Sequence, residues 1–282
     1  MIHRSSHSIH RPRRRLPSRA GGLAAALLAL ALLGAPAARA ASVRLEDLTW
    51  TEVRDALRSG TTTVIIPVGG TEQSGPHMAL GKHNVRVAAL AGRIAARLGN
   101  ALVAPVIGYV PEGRVSPPAG HMRFAGTISV PDDAFAGIVA GAARSFRQHG
   151  FRDIVLIGDH GGYQSQLRDI AQRLNREWAS APTRVHFVPE YYRAASDGFN
   201  QALRAKGLTD AQIGAHAGAA DTSLMLAVDP ALVRADRLQA GTESATGISG
   251  DPARASAALG KIGIDMAVDQ AVNAIRQAVK TH

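Results

Sequence analysis

Residues 61–69 read TTTVIIPVG, an apolar run without the in-out alternation of a strand that keeps one face in water. A strand that is apolar throughout is buried on both faces, as in a parallel sheet covered by helices on each side. Parallel strands need long crossovers, usually helical, and the chain supplies them. Helical spacing follows at 84–100, where Val87, Leu90, Ile94 and Leu98 recur before a Gly-Asn stop. Further strands are predicted at 101–110, 152–162 and 183–192. Helices are predicted at 45–60, at 132–150 with Asp132 as cap, at 163–180, at 219–233 and near 252–280. Alternation of this kind predicts an α/β fold, three-layer α/β/α with a mostly parallel central sheet, formed by a single domain over 41–282. The Gly/Pro-rich stretch 111–127 is long enough to be a binding loop.

Residues 1–40 follow another logic. RPRRRLPSRA is basic, LAAALLALALL (23–33) is an eleven-residue apolar core, and the segment ends Ala38-Arg39-Ala40. This is the pattern of a secretory signal cleaved after Ala40, too short for a membrane span. It predicts a periplasmic or secreted protein with no membrane attachment once processed. The net charge of +10 has the same origin: seven arginines and no acid lie in 1–40, leaving +3 for the rest. With few aromatics and no basic patch, that remainder offers nothing to nucleic acid. The absence of cysteine rules out disulfides and a thiol nucleophile.

Ligands of open parallel sheets bind beyond the carboxyl ends of the strands. There the sequence places PVGGTEQSGPHMALGKHNV (67–85) with Glu72, His77 and His83, then Asp159-His160 in GDHGG, then Glu190. HAGAADTS adds His216 and Asp221. Two or three imidazoles with carboxylates suit zinc, manganese or iron. Neither Ser74 nor Ser249 lies in a nucleophile elbow, and the glycine-rich turns match no phosphate-binding fingerprint.

In order along the chain, PVGGTEQSGPHMALGKH, HMRFAGTIS, GDHGG and HAGAADTS resemble the creatininase (creatinine amidohydrolase) family. Its members typically carry P-x-G-S-T-E-Q-H-G-P-H-L-P-L-G-T-D, H-x-x-F-P-G-T-I-S, N-G-H-G-G-N and H-A-G-E-x-E-T-S. The resemblance spans roughly 60–230. It implies the three-layer fold, frequent homo-oligomers, and metal-dependent hydrolysis of C–N bonds in cyclic or linear small-molecule amides. In the family's two-metal site, the positions of Glu72 and His160 bind one ion. The bridging aspartate position is His83, the T-E-Q-H histidine is Ser74, the glutamate after the GHG histidine in creatininase is Gly162, the E-T-S glutamate is Asp221, and the other glutamate is Ala219. A neutral imidazole has one lone pair and bridges poorly. The expected site is therefore one divalent ion held by Glu72, His83 and His160, with Asp221 as fourth ligand or as general base. Asp159 and Glu190 are weaker candidates for the base, and His121 and His216 are expected to orient the substrate carbonyl or its oxyanion. A binding protein that kept the fold without turnover, or a mononuclear metalloenzyme of other chemistry, fits the same residues.

Overall fold

The computed structural model describes Met1 and residues 42–280. Apart from that first residue, the expected leader lies outside the described residues. The main elements are α1 (Trp50–Arg58), β1 (Thr63–Val68), α2 (Lys82–Leu98), β2 (Ala101–Val103), α3 (Asp132–Gln148), β3 (Asp153–Gly158), α4 (Gln164–Glu177), β4 (Arg184–Phe187), α5 (Ala219–Val228) and α6 (Ala257–Lys280), joined by shorter helical turns.

All four strands are parallel, in the order β2-β1-β3-β4. Successive β1 residues enter opposite cores. Ile65 packs in the layer of Val87, Leu90 and Ile94 of α2 and Val268 and Val272 of α6. Val64 and Ile66 pack in the layer of Phe135 and Val139 of α3 and Leu167 and Leu174 of α4. Both faces of β1 are dry, which is why its sequence shows no polar alternation. The three-layer α/β/α architecture stands as expected, each fully buried aliphatic side chain contributing about 1.5–3 kcal/mol. Among the described residues, no helix is long and apolar enough to cross a membrane.

Several boundaries differ from the sequence reading, each for a local reason. The first predicted helix is interrupted before Thr49, which forms a capping box with Glu52 and opens α1. The second strand ends at Val103, just before Pro105, which has no N–H to give. Pro67 of β1 lies beyond that end, where a missing donor towards β2 costs little. Asp132 lies inside the first turn of α3, with Pro131 at the cap position. β4 stops at Phe187, and Pro189 opens a helix in its first turn. Residues 252–254 form a separate 3-10 turn before α6. A Cβ on Gly260 of α6 would stand 1.8 Å from the Ser223 carbonyl oxygen. The glycine thus lets α6 cross α5 backbone to backbone, which fixes the helix that carries Asp221.

Candidate metal centre

From β1 the chain runs through α2 to β2 on one side, and α3 then carries it to β3 on the other. Beyond the carboxyl ends of β1 and β3 these directions part, leaving the crevice where such sheets take ligands. A cavity of 460 Å³ opens there. Glu72 reaches it from the exit of β1, His160 from the exit of β3, His121 from the long loop, and His216 from the turn before α5. A Cβ on Gly162 would meet the His160 ring at 2.8 Å, so the GDHGG turn needs glycine to seat that imidazole.

Glu72 is fully buried. Its Oε2 makes no hydrogen bond, and His121 Nε2 and His160 Nε2 approach it at 3.2 and 3.5 Å. These three ligand atoms lie within 4.8 Å of one another. Donors around a tetrahedral ion with bonds of about 2.0–2.1 Å stand roughly 3.3 Å apart, so the set fits a divalent cation. Protonation fits as well. Burial outweighs the pull of Glu72 and takes His160 down to about 3, and it lowers His121 in the same way. Both rings are therefore neutral at pH 7, as ligands must be. Burial alone would raise Glu72, but the Lys82 ammonium and the His83 hydrogen bond outweigh it and keep the carboxylate ionised.

Behind these rings stand two polar side chains that the sequence reading did not single out. Gln73 Nε2 donates to His121 Nδ1 at 3.0 Å, while Gln73 Oε1 accepts from Gly75 N–H. Gln73 Nε2 also donates to the Gly247 carbonyl oxygen at 3.2 Å, so both ends of this amide are held. Glu112, from the loop after β2, is buried with both oxygens unpartnered, 3.6 Å from His160 Nδ1. Burial and the neighbouring Glu72 charge raise it to about 9. His160 Nδ1 accepts from Gly162 N–H at 3.2 Å, so backbone holds that ring while Gln73 holds His121.

Two of the expected ligands, His83 and Asp221, are engaged by other side chains. His83 is committed on both sides: Nδ1 lies 2.7 Å from Asp159 Oδ2 and Nε2 lies 2.8 Å from Glu72 Oε1. Arg86 Nη2 also approaches Nδ1, at 3.2 Å, so the ring is enclosed by protein groups on both of its nitrogens. Asp221 is equally occupied. It accepts from Lys82 Nζ at 3.0 Å, Arg86 Nη1 at 3.1 Å and Ala217 N–H at 3.0 Å. Ala217 takes a left-handed conformation, φ 56°, to make that contact. Burial opposes ionisation of Asp221, but Lys82 and Arg86 win and hold it well below the usual carboxylate range, which makes it a poor base. His121 instead takes the place beside Glu72 and His160.

The remaining candidates separate. Asp159 is buried beneath the site, bound by His83, Arg86 and Tyr191. Glu190 faces a different surface groove with Gln270 and Asn273. His77 bonds Thr222 at 3.0 Å and does not line the cavity. His216 Nε2 lies 2.9 Å from the Gln73 carbonyl oxygen, so it carries the proton, and the Nδ1 lone pair points towards Glu72 Oε1, 3.8 Å away. Burial, with Lys82 adding to it, lowers His216 to about 4. A neutral ring in this tautomer accepts a hydrogen bond and does not donate to an oxyanion through Nδ1.

One pH dependence follows for the metal-free fold. Between pH 6.5 and 5, unfolded imidazoles bind protons that folded His160 and His216 do not, so stability falls on acidification by about 1–2 kcal/mol for each. Asp159 and Asp221, held low, keep their contribution until the pH drops below about 4. Calorimetry of chelated protein should therefore give a lower Tm at pH 5 than at pH 7. An unchanged Tm would mean that these rings are not buried in the neutral form.

A family model described as creatinine amidohydrolase matches residues 46–275. The chain belongs to the creatininase family. It is 31% identical over 202 residues to the creatinine amidohydrolase of Pseudomonas putida, covering 70% of this chain and 76% of that one. It is 29% identical over 252 residues to a mycofactocin precursor peptide peptidase of Mycobacterium ulcerans, covering 80% and 89%. A manganese creatininase superposes with a TM-score of 0.66 at 29% identity, over 84% of this chain and 99% of that chain. A creatininase variant of Zn-Zn type superposes with a TM-score of 0.67 at 29% identity, over 85% and 99%. As a member of this family the protein is a metal-dependent amidohydrolase, and its Glu/His cluster is suited to a divalent ion.

Proposed function

We propose that this creatininase-family chain is an exported amidohydrolase that uses a single divalent ion to open a non-peptide C–N bond in a small cyclic or linear amide. The observation that carries the reading is the buried, unpartnered Glu72 Oε2 beneath the cavity, with two neutral imidazoles converging on it. Glu72, His121 and His160 would hold the ion. When bound, it supplies polarisation of the scissile carbonyl and a water whose pKa is brought towards about 7. The chain's other residues handle position. His216, its tautomer set by the Gln73 carbonyl, presents an unprotonated Nδ1 to the cavity as a hydrogen-bond acceptor that would orient the substrate. Gln73 holds the His121 ring and Gly162 N–H holds the His160 ring.

Chelated and zinc- or manganese-reconstituted protein should be assayed on creatinine, other lactams, ureides, formamides and short peptides. The expected result is turnover of a small amide that chelator abolishes and metal restores. Cleavage of peptides alone would assign the site to another bond, and binding without turnover would return the chain to a non-catalytic role. Export rests on the leader: protein recovered from periplasm should have the intact mass of a chain beginning at Ala41, and retention of 1–40 would refute it. A homo-oligomer belongs to the same proposal and is read by light scattering.

A further inference from the structure

We infer that the Lys82 ammonium is a resident second cation of this site, filling the space between Glu72 and Asp221 that a second metal ion would need and so limiting the chain to one ion. The inference rests on the metal centre proposed above and extends it to a residue with no assigned role. Lys82 Nζ lies 3.0 Å from Asp221 Oδ2 and 3.5 Å from Glu72 Oε1, and its side chain is 1% exposed. Two-metal hydrolases hold their ions roughly 3.5–4 Å apart, sharing oxygen ligands. Glu72 would be the shared carboxylate here. Its Oε2 faces His121 and His160, while its Oε1 faces Lys82 and His83.

Local rules argue against a lysine in this place unless it has a task. Lys82 and His83 open α2, and its first turn contains no acid. The amino end of a helix favours anions, and burial disfavours an ammonium. Both penalties are borne inside the cavity, where three buried or half-buried carboxylates compensate them. Lys82 lies against Glu72 and Asp221, and Arg86 lies against Asp159 and Asp221, so two fixed cations already occupy the Asp221 side of the site. A second divalent ion would add two positive charges beside an ammonium with no free carboxylate to meet them. An ammonium supplies charge and N–H donors but no coordination position. The zinc pair of the similar creatininase variant therefore has no counterpart here. Where the family pattern reads L-G-T-D, this chain reads Leu80-Gly81-Lys82-His83. A neutral residue has become a cation, and an anionic one has become an imidazole.

The test is a manganese titration of metal-free protein, by calorimetry and by elemental analysis after dialysis. Wild type, His83→Asp and Lys82→Arg/His83→Asp should each take one ion, and Lys82→Thr/His83→Asp should take two. A second ion in His83→Asp with Lys82 in place would overturn the inference, and so would a folded Lys82→Thr/His83→Asp protein that stays at one. Wild type binding two ions overturns it and leaves the metal centre standing. Wild type binding none removes the metal centre itself. If circular dichroism shows the double variant unfolded, anomalous scattering from wild-type crystals at saturating manganese decides. One peak beside His121 and His160 is expected, and a second peak between Glu72 and Asp221 refutes the role of Lys82.

Discussion

His160→Ala should cost the enzyme its ion and its turnover together. Substitutions in the partners behind metal ligands typically lower metal affinity by about 10–100-fold, and removal of a ligand should exceed that range. His160 is the cleaner target, because Glu72→Gln would also leave Lys82 and His83 facing an uncharged amide. His121→Ala should behave like His160→Ala, whereas His83→Ala should keep the ion and lose stability. Glu112→Gln should change the affinity by less than about 10-fold, because the carboxyl is neutral at pH 7 and lies 3.6 Å from His160 Nδ1, beyond hydrogen-bond range. Competition titration with a chromophoric chelator measures all four. If His83→Ala loses the ion while His121→Ala keeps it, the ligand set is Glu72, His83 and His160 after all.

That comparison also marks where sequence reasoning reached its end. The two-sided burial of β1 was legible because a central parallel strand leaves no polar alternation. Glu72 and His160 were legible because each follows a strand exit. The choice between His83 and His121 was not legible, since it depends on Asp159 lying 2.7 Å from one particular ring nitrogen. Lys82 and Arg86 did leave a trace. They continue the four-residue stripe of Leu90, Ile94 and Leu98 towards the start of α2, placing two charges on the buried face of a helix. Charges there are nearly always paired. Glu112 left none, because it sits in an irregular loop and meets His160 only through tertiary structure. Glu190 leaves the strand exits because Pro189, with its fixed φ and missing N–H, suits the first turn of a helix better than the end of a strand.

Asp159→Asn should be the most destabilising conservative change in the site. The carboxylate is 2% exposed and accepts from His83 Nδ1 at 2.7 Å, Arg86 Nε at 2.8 Å and the Tyr191 hydroxyl at 2.6 Å. The amide keeps the shape but removes the charge, leaving buried Arg86 to Asp221 alone. Breaking a buried pair from one side costs about 3–5 kcal/mol. At about 2–4 °C per kcal/mol for a domain of this size, Tm should fall by about 6–20 °C. Adding Arg86→Met removes the orphaned charge, so the double variant should be less destabilised than the sum of the two single changes, by about 0.5–3 kcal/mol. The pH dependence separates this from simple loss of packing. Burial opposes ionisation of Asp159, but Arg86 and the His83 bond hold its carboxyl below the usual range. Its contribution is thus complete above about pH 4 and disappears only as the pH falls through the lower folded value. The gap between wild type and Asp159→Asn should be equal at pH 7 and pH 5 and should narrow below 4. A gap under about 1 kcal/mol, within the range of exposed pairs, would mean that Asp159 is not ionised against Arg86.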